Sequence, residues 1–244
     1  MKTIVVSVMS VLALTQTTRA GSISFAFTNG NRSAQVDFDR SGSDLIVTLS
    51  NTSMADALVP TDILTAVFFE LSGNPLLTRT TALVPVGSSV FVGNVGTNVT
   101  PADRVIGGEW SYLNSITNPT GHNQGISSTG VGTFGPGNRF PGNNLQGPTS
   151  PDGVQYGITT AGDNLLTGNG GLNGEHLIKN SVVFTLSGFD AEPDAVITAA
   201  RFLYGTSLHE PQFEGTVVPE PATWLLAMFG FAGLLSLRRR IRAG

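Results

Sequence analysis

Glu109 is followed by Trp110 and, two residues on, by Tyr112. A carboxyl beside flat aromatic faces is the equipment of glycan recognition: the sugar ring stacks on the aromatic and the acid handles a proton. Glycoside hydrolysis needs a second carboxyl, and the sixteen acidic residues before the tail offer many partners without the spacing choosing one. An ordinary strand with a packed tryptophan accounts for the same residues. That reading is adopted, and no catalytic residue is assigned.

Other chemistries find less to work with. His122, His176 and His209 stand alone, with no second histidine at metal-ligand spacing, and are expected on the surface or in loops. No Gly-x-Ser-x-Gly elbow is present to expose a nucleophilic serine. Cysteine is absent, which removes disulfides, thiolate metal sites and cysteine nucleophiles together. Calcium is the one cation with candidate ligands. Asp163, Asn164 and Glu175 offer hard oxygens around a glycine-rich stretch, Gly168 to Gly174, although the Asp-x-Asp-x-Asp spacing of a calcium loop is missing.

The elements that must position these residues are strands. Ile23, Phe25 and Phe27 alternate with Ser24 and Ala26; Val36 and Phe38 alternate with Gln35, Asp37 and Asp39; Leu45, Val47 and Leu49 share a face. Ile63 to Leu71 is an apolar strand rich in Val67, Phe68 and Phe69, the pattern of a strand covered on both faces. Further strands are expected at Ser88 to Val95, Trp110 to Leu113, Ser181 to Leu186 and Val196 to Tyr204. Asn29-Gly30, Ser41-Gly42, Ser72-Gly73-Asn74-Pro75 and Ser187-Gly188 supply turns. Short strands separated by turn signals predict an all-β ectodomain, a β-sandwich of Greek-key or jelly-roll type, over residues 21–215. Residues 114–174 are dense in Gly, Asn, Ser, Thr and Pro, and are expected to be loops that bury little surface, with a short strand at Gln155 to Ile158.

Charge is distributed unevenly. The body holds seven basic residues against sixteen acidic ones, a balance of −9 that the whole-chain value of −4 conceals because the arginines collect in the tail. Such a body cannot neutralise phosphates, which excludes nucleic acid as a partner. Solubility, or bridging through divalent cations to acidic polysaccharide, is the more natural use.

Both ends carry membrane signals. Lys2, an apolar stretch from Ile4 to Leu14 and a polar segment ending in Arg19-Ala20 follow the plan of a secretory signal peptide over residues 1–20, with cleavage between Ala20 and Gly21. At the other end, Val218-Pro219-Glu220-Pro221 precedes an apolar run of 16 residues, Ala222 to Leu237, and then Arg238, Arg239, Arg240 and Arg242. As a helix that run reaches about 24 Å, short of the roughly 30 Å hydrocarbon core. Arginines that snorkel into the headgroups let it span as a marginal anchor. Trp224 suits the outer interface and the arginines the inner one, so the body lies outside the cytoplasm.

Pro219-Glu220-Pro221, the short helix with Gly230 and Gly233, and the arginine cluster together resemble the PEP-CTERM sorting signal of Gram-negative bacteria, here over residues 216–244. The resemblance implies recognition and processing by an exosortase, a polytopic membrane cysteine transpeptidase-like enzyme, and a link to exopolysaccharide and biofilm formation. Prolines on either side of Glu220 hold the backbone extended, a form that a membrane enzyme binds readily. In the body, Leu49-Ser50-Asn51-Thr52-Ser53, the run Leu58 to Phe69, Tyr156-Gly157-Ile158 and Tyr204-Gly205-Thr206 resemble exosortase-dependent surface proteins whose ectodomains have no assigned activity. A non-enzymatic surface protein of the polysaccharide matrix is the function expected, with a secreted carbohydrate-binding module or hydrolase on the same tail as the alternative.

Overall fold

The computed structural model describes residues 22–116, 121–140, 142–148, 153–189 and 194–219. The expected signal peptide, with its Ala20–Gly21 junction, and the tail from Glu220 onward, with Pro221, Trp224, Gly230, Gly233 and the four arginines, lie outside them. Among the described residues no helix is long and apolar enough to cross a membrane.

Alternating apolar residues in the first third build one sheet. Its order is β14 (Thr216–Val218), β1 (Ile23–Asn29), β2 (Arg32–Ser41), β3 (Asp44–Asn51), β11 (Ser181–Ser187) and β5 (Thr78–Leu83), all antiparallel. Two-residue turns at Gly30-Asn31 and Gly42-Ser43 set the register, Asn29 facing Arg32 and Ser41 facing Asp44. Each turn places only its glycine at positive φ, +57° and +61°, which matches the strand twist.

The second sheet runs β13 (Gln212–Glu214), β12 (Ile197–Tyr204), β4 (Leu64–Leu71), β9 (Ile158–Thr159), β10 (His176–Lys179) and β6 (Ser89–Val92). Beside β9, the same edge of β4 takes β8 (Gln124–Ser127), which in turn pairs with β7 (Ser111–Asn114). The ladder between β9 and β10 is parallel. An all-β, two-sheet, sandwich-like body results.

Between the sheets lies an aromatic interior. Phe25, Val36, Phe38, Val47, Leu49 and Phe184 from one sheet meet Val67, Phe69, Phe202 and Tyr204 from the other, and all are fully buried. Phe38 and Phe69 stand 5.0 Å apart across the gap, and Trp110 packs 4.9 Å from Phe184.

The glycine- and asparagine-rich segment departs from expectation. It is mostly without regular structure, but it is not a surface loop that buries little. Ile116, Val131, Phe134 and Phe140 form a second core with Ala66, Phe68 and Leu203 on the outer face of β4 and β12. Val154, Leu165 and Leu172 build a third with Ala57, Ile63 and Leu177. The physical reason lies in β4, whose residues are buried on both faces and so demand a cover on the side away from the sandwich interior. A few well-placed aromatics provide it, between glycines that let backbone come close.

Other strands differ in extent. The one expected at Ser88 to Val95 is held to Ser89–Val92, and that at Gln155 to Ile158 begins only at Ile158. Strands β5, β8, β10, β13 and β14 have no counterpart among the expectations.

If the segment is a core layer, Phe134→Ala removes a ring that is 2 % exposed and 6.0 Å from Phe68. Urea denaturation should show a loss of about 3 kcal/mol or more. A change below about 0.5 kcal/mol, the usual effect of a surface substitution, would mean that the segment is not packed as described.

Candidate functional site

The sequence points to the carboxyl-terminal end of the body, and the structure shows how that end is held. After β12, Gly205 turns the chain at a φ of +86°, and the Glu210 carboxylate accepts backbone N–H bonds from Thr206 and Ser207. Strand β13 then pairs with β12, Glu214 opposite Arg201, and the two side chains form an ion pair. Phe213 stacks on Phe27 at 4.5 Å with planes 10° apart, so an aromatic contact bridges the two sheets at this edge.

Gly215 is the point where the chain leaves one sheet and joins the other. Its N–H donates to the Ala200 carbonyl at 2.8 Å. A side chain there would meet Phe25 Cβ at 2.9 Å and Phe202 Cε2 at 3.1 Å, so only glycine passes between the sheets. Strand β14 follows on the edge of the first sheet, with Thr216, Val217 and Val218 opposite Ala26, Phe25 and Ser24. The Thr216 hydroxyl donates to the Ala26 carbonyl at 3.1 Å. Val217 is 56 % exposed, and Pro219, the next residue after the strand, is exposed as well. Because Val218 faces Ser24, the outgoing tail leaves the sandwich beside the first described residues. Entry and exit are one strand apart, about 4.8 Å.

The remaining sequence candidates are taken up by the fold. Trp110 is wholly buried in the interior, and its indole nitrogen meets no hydrogen-bond partner among the described residues. Tyr112 is buried too; its hydroxyl donates to Gln124 Oε1 and accepts from the Leu77 N–H. Neither ring offers a face to a sugar. Glu109 ends a short 3-10 turn, half-buried. Its carboxylate lies near Tyr156, whose phenol is pushed above its ordinary value first by burial and then by that charge. Tyr156 sits at φ +56°, and its hydroxyl is 3.3 Å from His176 Nδ1. Glu109 and His176 are thus brought into one neighbourhood through Tyr156, a juxtaposition with no signature in their spacing.

His122 lies in the loop just before β8, within the expectation of a surface or loop histidine, but it is buried there. It is 5 % exposed, with Nε2 3.5 Å from Glu214 Oε2. His209 is exposed as expected.

Asp163 is buried, and its oxygens accept bonds from the Ala57 N–H and the Thr159 hydroxyl. Asn164 uses its backbone N–H on Asp56, and its side-chain oxygen accepts from the Leu166 N–H. Glu175 is half-buried near the start of β10. Among the described residues no three His, Asp or Glu side chains converge to hold a metal ion.

Residues 217–240 match the PEP-CTERM protein-sorting motif. No curated protein matches the chain, and no solved structure does. The motif places the protein in the export and sorting pathway that leads to the cell surface, and it implies interaction with an exosortase-type sorting system. Its first two residues, Val217 and Val218, lie within β14.

Two measurements test this description of the body. Asp163→Ala strips acceptors from a buried N–H and a hydroxyl and should cost about 2 kcal/mol or more. Calcium in place of chelator should leave the melting temperature of the parent protein unchanged; a rise would return Asp163 to the role of ligand.

Burial pushes the Tyr112 phenol up to about 12, partly offset by the Leu77 N–H and the Arg79 charge. Tyr204 is raised as well, again chiefly by burial. An unfolded phenol ionises near about 10, so between there and about 12 the folded state holds more protons. Stability should therefore be full below that window and fall as pH rises through it, and Tyr112→Phe should make the fall shallower. A denaturation midpoint flat across this range would contradict the burial of both phenols.

Proposed function

We propose that the protein is a surface component of the extracellular polysaccharide matrix, delivered by its tail and without catalytic activity of its own. The single observation that carries the reading is the sorting motif at residues 217–240, starting on the last strand of a closed body. In this reading residues 1–20 are removed on export, the run 222–237 is a transmembrane helix that holds the chain in the membrane, and the body lies outside as a sandwich of Greek-key or jelly-roll type.

An exosortase then acts near Pro219–Pro221. The chemistry is acyl transfer: an enzyme thiolate attacks the carbonyl of one peptide bond, and the tail leaves as an amine that takes a proton. Water or an amine then releases the body from the enzyme. Support for a non-enzymatic body comes from the aromatics beside Glu109, which are spent on the interior. Its acidity supports cation-bridged association with acidic polysaccharide in place of direct phosphate binding.

The neighbourhood of Glu109, Tyr156 and His176 favours a second reading, a carbohydrate-binding module or glycan hydrolase on the same tail. Glycan binding or turnover by the purified body that is lost in Glu109→Gln would favour it.

Intact mass of the protein recovered from the cell surface tests the main reading. The expected species begins at Gly21 and ends near Pro219–Pro221, with any group attached there read from the excess mass. A mature surface protein that retains Trp224 through Arg242 would overturn it.

A further inference from the structure

The sorting motif and the folded body overlap, and the overlap has consequences for how the tail can be processed. Val217 and Val218 belong to the motif and are also two of the three residues of β14. Pro219 follows with no spacer. If the helix starts at Ala222, three residues separate the sandwich from the apolar run, at most about 11 Å of extended chain. The interfacial layer on one side of a bilayer takes up roughly half of that. The body therefore rests against the membrane surface while the tail is in place.

Enzymes that cleave or transfer peptides bind them extended, through main-chain bonds to several residues around the reacting carbonyl. On the amino-terminal side of Pro219 those residues are Thr216 to Val218, whose inward-facing main-chain groups are engaged in the ladder with β1, while the outer edge of β14 pairs with no further strand among the described residues. A cleft that grips the peptide along both edges needs the groups that face β1 as well, and two strands cannot claim those at once. The ladder is also well suited to release: it has three registered pairs, its side chains are exposed or half-exposed, and Thr216 makes the one side-chain bond described for it. The crossing at Gly215, by contrast, is wedged between Phe25 and Phe202 and fixes how far a release can spread.

We infer that β14 is a strap that must come off the edge of the sheet before the exosortase can engage the motif, so that undocking of Thr216–Val218 from β1 sets the rate of tail processing. The inference rests on the processing reading above and adds to it a positioning role for the last strand. Gly215 is the hinge, and the body beyond it stays folded.

The test uses the full chain co-expressed with its exosortase and follows loss of the tail by intact mass over time. Ala26 and Thr216 are directly opposed, at a Cα separation of roughly 4.5–5.5 Å that a disulfide can bridge. The chain has no cysteine of its own to compete. In the Ala26→Cys, Thr216→Cys double variant, the oxidised form should lose its tail at least about tenfold more slowly than the same protein under reductant. A second variant needs no crosslink: a flexible spacer of about six residues followed by a second Val-Val pair, inserted between Val218 and Pro219, adds roughly 20 Å of reach, keeps the motif whole outside the sheet and should speed processing above that of the parent. Equal rates for oxidised and reduced forms would overturn the strap, as would a spacer variant no faster than the parent. Retention of the tail by the parent and every variant would instead overturn the processing reading, and the strap with it.

Discussion

Everything at the functional end of this molecule depends on one close approach, the passage of the backbone at Gly215 between Phe25 and Phe202. On one side of it, β13 finishes the edge of the second sheet; on the other, β14 finishes the edge of the first. A single extended segment therefore closes one side of the sandwich by changing sheets, as corner strands do in packed β-structures. The stacked pair Phe27 and Phe213 holds the corner from within. Because the sorting motif continues from this segment, the body does not merely precede its signal; the first two residues of the motif are part of the folded sheet.

The second constraint is β4. A strand buried on both faces needs two partners, and the sandwich interior is only one of them. The other is the layer carrying Phe134 and Phe140, and elsewhere the fold takes up residues that would otherwise look available for chemistry. Trp110 and Tyr112 are spent on the interior, Asp163 on tying Ala57 and Thr159 together, and His122 on its contact with Glu214. Polar side chains in this body mostly serve backbone that runs without regular structure, since buried N–H and C=O groups need partners wherever ladders are missing.

What could be read in the sequence follows from where alternation survives. In β1, β2, β3 and β11 one face is apolar and the other polar, so a period of two is visible. The two hairpin turns announce themselves through Gly30 and Gly42. Strand β5 does not, because Thr78-Arg79-Thr80-Thr81 lies on an exposed edge and carries no apolar face until Ala82. Strand β8, Gln124-Gly125-Ile126-Ser127, is buried throughout, yet it reads as loop because its polar groups are satisfied by neighbours such as Tyr112 and Thr129. The tail was legible for the opposite reason. Its pattern is carried by composition and order, so it can be recognised without knowledge of any tertiary contact. An acid beside a glycine-rich stretch, such as Asp163, carries no sign in sequence that its oxygens will accept from the Ala57 N–H and the Thr159 hydroxyl.

Amide hydrogen exchange on the full chain, read by mass spectrometry over residues 212–219, tests the central claim most directly. Pairing of β14 with β1 predicts exchange at Val217 or Val218 at least about tenfold slower than in the free peptide, with the Gly215 N–H, bound to Ala200, slower still. Exchange across Gly215 to Val218 at the rate of an unstructured peptide would contradict it, because the tail would then hang from a body that ends at β13.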